Sequence, residues 1–477
     1  MKALSFALVF LVFQGLTFAE SAKSTAEKLK LEGLEKPVEI LLDPWGIAHI
    51  YAETEHDLFF AQGYNAARDR LFQFEVWRRQ ATGTWAEVLG PRELKRDVAA
   101  RLFRFRGDMD EELAHYHPRG GEIIRAFVAG VNARIAEVKA NPDLLPIELK
   151  LLGIEPGEWT PEVVISRHQA LAYNVAQELE IARALAAVGE AAVRQMYWFQ
   201  NADPQLELDD AIDPELLQAD LLELYRIYKS PVSFRPEDVV AANRAADGDW
   251  KQLAEKLLTG EAELIRRGEA IGSNNWALSG DKTTTGKPIL ANDPHRALQA
   301  PSLRYFAHLN GPGWNVIGGG EPVLPGISIG HNGHGAWGLT IFRIDNEDLY
   351  VYETDPDGQR YRYGDGWEEF SVVEEQIAVR GQDRVTVELK FSRHGPVMYE
   401  DPESRSAVAL RAAWLEPGGA PYLASLRMNQ AQTWEEFRDA CSFNHMPGEN
   451  MLWADADGNI GWQATGLAPL RPNWSGI

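Results

Sequence analysis

The sequence predicts an α+β protein, helix-rich up to about residue 271 and strand-rich from Gly272 onward. Three observations carry that reading. Residues 57–83, DLFFAQGYNAARDRLFQFEVWRRQATG, repeat apolar positions at a helical period. Further helical segments follow to about Gln200, broken at HPRGG and NPDLLP. After Gly272 short apolar runs alternate with turn dipeptides, in SGDKTTTGKP, NGPG, NGHG, DPDG, GDGW and DADGNIG.

Taken in order, residues 1–19 read as a secretory signal. Lys2 supplies the positive start, no charge appears from Ala3 to Ala19, and Thr17 and Ala19 are small residues before a cut at Glu20. No other run is apolar for long enough to span a membrane, so a periplasmic or secreted protein without stable membrane insertion is expected. Residues 37–52 (PVEILLDPWGIAHIYA) alternate around an Asp-Pro-Trp-Gly break and predict a β-hairpin. The helical pattern then runs from Asp57 to about Ala86. Residues 203–271 are acidic and mostly helical in period, as in a connector. NMLWA and IGWQA form the arms of a last predicted hairpin around Asp-Gly.

Composition excludes some functions. The 477 residues include 70 acidic and 47 basic ones, a net charge of −23, which argues against a nucleic-acid partner. A single cysteine, Cys441, excludes an intrachain disulfide framework. Apolar residues make up 45%, enough for a sizeable core.

Several motifs invite chemistry and fail on context. Gly326-Ile327-Ser328-Ile329-Gly330 matches the nucleophile elbow of α/β-hydrolases, with Ser328 as nucleophile. The residues after it, HNGHGAWG, are too glycine-rich to start the helix that elbow needs. His331 and His334 lack a third ligand and sit on a glycine-rich loop. Asp455-Ala456-Asp457-Gly458-Asn459 opens like a calcium loop, but its closing acid would fall on Gly466, so it reads as a turn.

The segment Gly272-Ser273-Asn274-Asn275-Trp276-Ala277-Leu278 stands where helical texture gives way to strands. A serine hydroxyl can attack the carbonyl before it, and hydrolysis would leave Ser273 as a new N-terminus. Its α-amine, with a reference pKa of about 8, could then serve as base for its own hydroxyl. On residues alone Gly-Ser is a common dipeptide and a plain turn accounts for it.

Four blocks in order change that balance. RDRLFQFEVWRRQATGTWAEVLG (68–90), GSNNWALSGDKTTTGKPILANDPH (272–295), GHNGHGAWGLT (330–340) and NMLWADADGNIGW (450–462) resemble the penicillin acylase family of N-terminal-nucleophile hydrolases. The resemblance runs from near residue 37 to the last residue. It implies an αββα four-layer sandwich, with two stacked antiparallel sheets between helical layers. It also implies self-cleavage into a small subunit (20–250), a connector (251–272) and the first part of a large subunit (273–477), the two products staying together as a heterodimer. The activity implied is hydrolysis of an acyl-amide bond in a small N-acyl compound, through an acyl-enzyme.

Residue by residue, the resemblance makes Ser273 the nucleophile and Gly272 the last residue before the cut. Asn450 and the backbone N–H of Ile341 become the oxyanion donors, and Arg471 the cation that holds Asn450 and the α-amine. His295 stands where penicillin G acylases carry Gln, and matches a histidine that assists the nucleophile in the cephalosporin, glutaryl, aculeacin and acyl-homoserine-lactone branches. Glu178, Asp345, Glu347 and Asp348 resemble the ligands of a structural Ca²⁺, Glu347 through its carbonyl, and hard oxygens suit that ion. Leu171, Ala172, Tyr173 and Asn174 fall where the family lines its acyl pocket. The part after Gly272 is short for a large subunit, so the acidic partner of His295 is expected to be missing. The alternatives are an esterase using Ser328 and an inactive exported binding protein.

Overall fold

The computed structural model of the chain describes residues 27–168, 171, 174–199, 204–244, 273–295 and 300–472. The expected signal segment, the connector 251–272 with Gly272, and Ala172 and Tyr173 lie outside the described residues. Residues up to Glu32 form a unit of their own, in which 27–32 carry no helix or strand.

The first predicted hairpin forms as β1 (Glu39–Leu42) and β2 (Ala48–Tyr51), paired antiparallel from Glu39 opposite Tyr51 to Leu42 opposite Ala48. Asp43 makes the turn, its Oδ1 accepting the N–H groups of Trp45 and Ile47 at 2.9 Å each. The long helix α1 (Glu55–Thr82) follows, capped by Thr54, whose hydroxyl accepts the Asp57 N–H at 3.0 Å. It ends before the expected Ala86, because Gly83 turns left-handed at φ 61°. Helices α2 (Met109–Tyr116) and α3 (Gly120–Ala140) come next, and α3 packs along α1 through Phe74, Phe127 and Val131. Burying such side chains contributes roughly 1.5–3 kcal/mol each.

Helix α4 (Asn174–Val188) and the short helix α5 (Glu223–Lys229) complete the helical part used below. The helical connector expected at 203–271 is not what residues 204–244 form. Pro204, Pro214, Pro231 and Pro236 interrupt them, and only short helical turns survive. Distant arginines take up loop carbonyls that a helix would have used: Arg183 donates to Leu217 O and Ala219 O at 2.6 and 2.8 Å.

After Ser273 the strands come in quick succession, as expected. An eight-stranded sheet has the order β1-β2-β5-β6-β7-β8-β16-β17, with β5 Tyr305–Gly311, β6 Trp314–Gly320, β7 Ile329–His331, β8 Gly335–Ile341, β16 Glu449–Asp455 and β17 Ile460–Thr465. All neighbours are antiparallel except β2 and β5, which pair parallel from Ala48 opposite Ala307 to Tyr51 opposite Asn310. A five-stranded sheet, unforeseen in the sequence, has the order β12-β13-β14-β15-β9: Ser371–Ile377, Val385–Ser392, Gly395–Asp401, Ser406–Ala412 and Glu347–Glu353. The strands β10 (Arg360–Tyr363) and β11 (Gly366–Glu369) form a separate hairpin.

Side chains alternate along β8 and β16. Trp337, Leu339, Met451 and Trp453 enter the main core beside Phe437 of α6 (Trp434–Cys441). Gly338, Thr340 and Asn450 take the other face, where the hairpin of β3 (Asn274–Leu278) and β4 (Ile289–Asp293) lies. The protein is therefore α+β. Of the four layers implied by the resemblance, the described residues build helices, a full sheet and a second sheet of two strands. The outer face of that hairpin leaves Trp276, Leu278 and Ile289 exposed.

A buried ion pair ties the helical part to the strand-rich part. Arg167 and Glu112 meet at 2.7 Å with both side chains 0% exposed. Glu112 also accepts the Gly418 N–H at 2.8 Å and the Tyr116 hydroxyl, which in turn accepts the Ala420 N–H at 2.8 Å. Removing one partner strands the other charge away from water. Arg167→Ala should therefore cost about 3–5 kcal/mol in urea unfolding, and a variant as stable as the parent would show the pair to be unimportant.

Candidate active site

The site begins with a hairpin whose ladder runs out. Asn274 pairs with Asp293, and the next residue on the β4 side is Pro294, which has no N–H to extend the pairing. The following N–H, that of His295, donates instead to Ser273 Oγ at 3.0 Å. Ser273 and His295 are thus brought together, both half-buried. The His295 ring has an acidic neighbour after all: Nε2 meets Asp293 Oδ2 at 2.8 Å. The expectation of a missing acid looked for a distant residue, whereas this one is two positions away in the same NDPH block.

Two carboxamides dock the hairpin on the sheet. Asn292 donates to Leu339 O at 2.8 Å and accepts the Leu339 N–H at 3.3 Å. Asn275 donates to Asn450 O at 3.0 Å. Gly338 makes this approach feasible, because a Cβ there would lie 2.7 Å from the Asn292 Cβ. Neither asparagine stood out in the sequence; both lie inside the block that begins at Gly272.

Asn450 stands opposite Thr340. Its carboxamide donates to Ile341 O at 3.2 Å and, at a long 3.4 Å, to Thr340 Oγ1, and accepts the Trp462 indole N–H at 3.1 Å. Ile341 faces Glu449 across the same ladder, and Phe342 N–H donates to Gly448 O at 2.8 Å. By the alternation of an antiparallel pair, the Ile341 N–H is therefore not spent on β16. The two expected oxyanion donors are neighbours at the end of β8, on strands to which the Ser273 hairpin is tied.

Arg471 lies elsewhere than expected. The partners of the Asn450 carboxamide are Thr340, Ile341 and Trp462, while the Arg471 guanidinium donates to Asp348 at 2.8 and 3.0 Å and to Asp345 at 2.7 Å. Two carboxylates outcompete a neutral amide for a guanidinium fork. Asn174 is likewise drawn there. Its amide donates to Glu178 at 3.0 Å, to Asp345 at 3.0 Å and to Glu347 O at 2.7 Å. Burial pushes the Glu178 carboxyl up to about 7, with the charges of Asp345 and Asp348 adding to the effect against the Asn174 hydrogen bond. The Glu347 side chain turns inward to Tyr225 OH at 3.0 Å and Trp414 Nε1 at 2.6 Å, leaving its carbonyl toward the cluster. Leu171 is half-buried and outside any helix or strand.

The elbow motif is a loop, as its context required. Ser328 is buried, its N–H donates to Gly319 O at 3.1 Å, and strand β7 follows it where a helix would be needed. His331 and His334 flank the β7–β8 turn. Asp455 organises a turn by accepting the N–H groups of Asp457 and Asn459 at 3.1 and 2.8 Å.

With this geometry in place, the comparisons with known proteins are decisive for family. The penicillin amidase family model matches residues 37–477. The chain belongs to the penicillin amidase family. It is 33% identical to penicillin acylase 2 proenzyme of Pseudomonas sp. (strain SE83), over 94% of this chain and 54% of that protein. Penicillin G acylase of Escherichia coli is 28% identical over 91% of this chain and 54% of its own length. Acyl-homoserine lactone acylase QuiP of Pseudomonas aeruginosa is 28% identical, with 96% and 53% covered. Among solved structures, thermostable penicillin G acylase from Alcaligenes faecalis aligns with a TM-score of 0.39 at 29% identity, over 42% of this chain and 36% of that one. This member of the penicillin amidase family spans about half the length of the curated relatives it matches.

The calcium ligands implied by the resemblance meet in space, and their oxygens are of the right kind. As arranged they do not fit the ion: a guanidinium and a carboxamide N–H group hold their centre. Among the described residues no three His, Cys, Asp or Glu stand in a metal-holding arrangement. Removing the guanidinium should expose the conflict between the carboxylates. Arg471→Ala is expected to lower the melting temperature, and added calcium to restore part of the loss. Thermal scans with and without calcium check this, and an unchanged melting temperature would show the cluster to be merely solvated.

Proposed function

We propose that this chain carries the catalytic serine of an exported, self-processing amidohydrolase that acts on small N-acyl compounds. What supports the reading most is the juxtaposition of Ser273 Oγ with the His295 N–H at 3.0 Å, on a hairpin docked beside Asn450 and Ile341. In the first reaction Ser273 Oγ attacks the Gly272 carbonyl, the Gly272–Ser273 bond passes to an ester, and water hydrolyses it. The products are a Gly272 carboxylate and a free Ser273 α-amine. In the second reaction that amine takes the hydroxyl proton as Oγ attacks an acyl-amide carbonyl. The oxyanion is met by the Asn450 carboxamide and the Ile341 N–H, the weak 3.4 Å bond to Thr340 being the one Asn450 gives up. The proton passes to the leaving amine, and water releases the acid from the ester.

Export rests on the signal-like residues 1–19 and on the absence, among the described residues, of a helix long and apolar enough to cross a membrane. Relatives named for penicillin and for acyl-homoserine lactone mark the substrate class as acyl amides, whose acyl chain a panel of acyl-p-nitroanilides would identify. The two cleavage products remain a heterodimer, because β2 and β5 come from opposite sides of the cut.

Ser273→Ala should abolish both maturation and amidase activity, since one hydroxyl makes both attacks. Two subunits appearing on a denaturing gel of that variant would end the proposal. Asn450→Ala should lower kcat by roughly 10²–10³ with little change in KM, and full turnover would remove it from the site.

A further inference from the structure

A carboxamide used as an oxyanion donor has a weakness that a backbone N–H lacks. Its two ends are alike in shape and opposite in polarity, so a half-turn about the Cβ–Cγ bond would aim Oδ1 where Nδ2 is needed. Two contacts of Asn450 oppose that turn. Ile341 O can only accept, and takes a hydrogen from Nδ2 at 3.2 Å; the Trp462 indole can only donate, and holds Oδ1 at 3.1 Å. Resting on the reading of Asn450 as an oxyanion donor, we propose that Trp462 is a positioning residue for the reaction, its indole N–H keeping the Nδ2 end of the carboxamide toward the oxyanion.

The strand register brings the indole there. On β17, Ala464 stands opposite Asn450 and Trp462 opposite Leu452, so Trp462 is the diagonal neighbour of Asn450 on the same face. A side chain as long as an indole spans that diagonal. β17 is the edge strand of its sheet and is held from the other face. There Gly461, opposite Trp453, lies against the Trp434 ring of α6, where a Cβ would come within 2.5 Å of it. The Trp462 ring itself is 58% exposed, so it adds little to the core. As charge develops on the substrate oxygen, Nδ2 exchanges its 3.4 Å contact with Thr340 Oγ1 for that oxygen, while the bonds to Ile341 and Trp462 hold the amide plane. A flipped amide would set Oδ1 against the Ile341 carbonyl and the oxyanion, and Nδ2 against the indole N–H. Trp462→Phe removes that last conflict and leaves a ring in place.

The test compares the full chain with Trp462→Phe, Asn450→Ala and the double variant, on the acyl-p-nitroanilide that the parent hydrolyses fastest. Trp462→Phe should lower kcat by about two- to tenfold, the weight of one neutral hydrogen bond, with KM and melting temperature unchanged. Affinity for an alkylboronic acid, whose boron bonds the serine oxygen to give an anionic tetrahedral adduct as a proton leaves, should fall by the same factor. In the Asn450→Ala background the change to Phe should have no further effect, because no carboxamide is left to orient. Trp462→Phe at the parent kcat overturns the proposal. So does a loss of the same size in the Asn450→Ala background, or one confined to KM or to melting temperature, because such a tryptophan touches substrate or supports the fold. Asn450→Ala at full turnover, or a parent chain that hydrolyses none of the panel, brings down the reading of the site instead, and the two failures are thereby told apart.

Discussion

The antiparallel pairing of β8 with β16 is the constraint on which the rest of the molecule hangs. Its register sets Trp453 against Trp337 and Asn450 against Thr340 on opposite faces of one sheet. The first pair belongs to the helical core, where Phe437 packs on Trp453 with ring centroids 4.8 Å apart. The second faces the β3–β4 hairpin. A slip of one residue would exchange the two faces, putting indoles under the hairpin and a carboxamide in the core. Gly335 secures the register, because a Cβ there would lie 2.1 Å from the Trp453 ring. The positions of Asn450 and Ile341 are therefore by-products of core packing, and the catalytic reading inherits its geometry from hydrophobic burial.

Buried charges hold the helical part against this sheet with a specificity that apolar contacts alone lack. Besides Glu112 and Arg167, the half-buried Lys229 of α5 lies over the rings of Tyr225 and Trp414, at 4.9 and 5.1 Å. Burial lowers its ammonium to about 8, against the opposing charge of Glu347. Tyr225 and Trp414 both donate to Glu347, so one carboxylate gathers groups from the helical and strand-rich parts. Breaking such a set leaves polar atoms without water, which penalises any displaced docking of the two parts.

Features encoded by neighbouring residues were legible in the sequence. The β1–β2 turn followed from Asp43, Pro44 and Gly46, and the β16–β17 hairpin from Asp455 to Gly458, whereas the glycine that ends α1 was passed over by a helical period running to Ala86. Ser273 and His295 could be paired because one contiguous block holds both. Features decided by competition over long distances were not legible. Arg471 was read as a catalytic cation and Asn174 as a pocket residue, yet Asp345, remote in sequence from both, accepts a hydrogen bond from each. The connector near 204–244 has a helical period, but its prolines and the carbonyls held by Arg183 decide otherwise. The acidic neighbour of His295, expected to be missing, is Asp293, and nothing in the NDPH block signals that the ring turns back onto it.

The parallel pairing of β2 with β5 has a consequence for how such a protein is assembled. Ala48 and Ala307 sit side by side, yet the chain between them includes residues 245–272. Were that stretch cut as proposed, the eight-stranded sheet would be shared between two polypeptides. Their separation would expose two strand edges and the core beneath them, so dissociation and denaturation become one event. Recovery from denaturant would then be a bimolecular process, slowing on dilution, whereas the uncut chain folds at a rate independent of concentration. For the proposed cut, the position of this one strand would require folding to come first and cutting second.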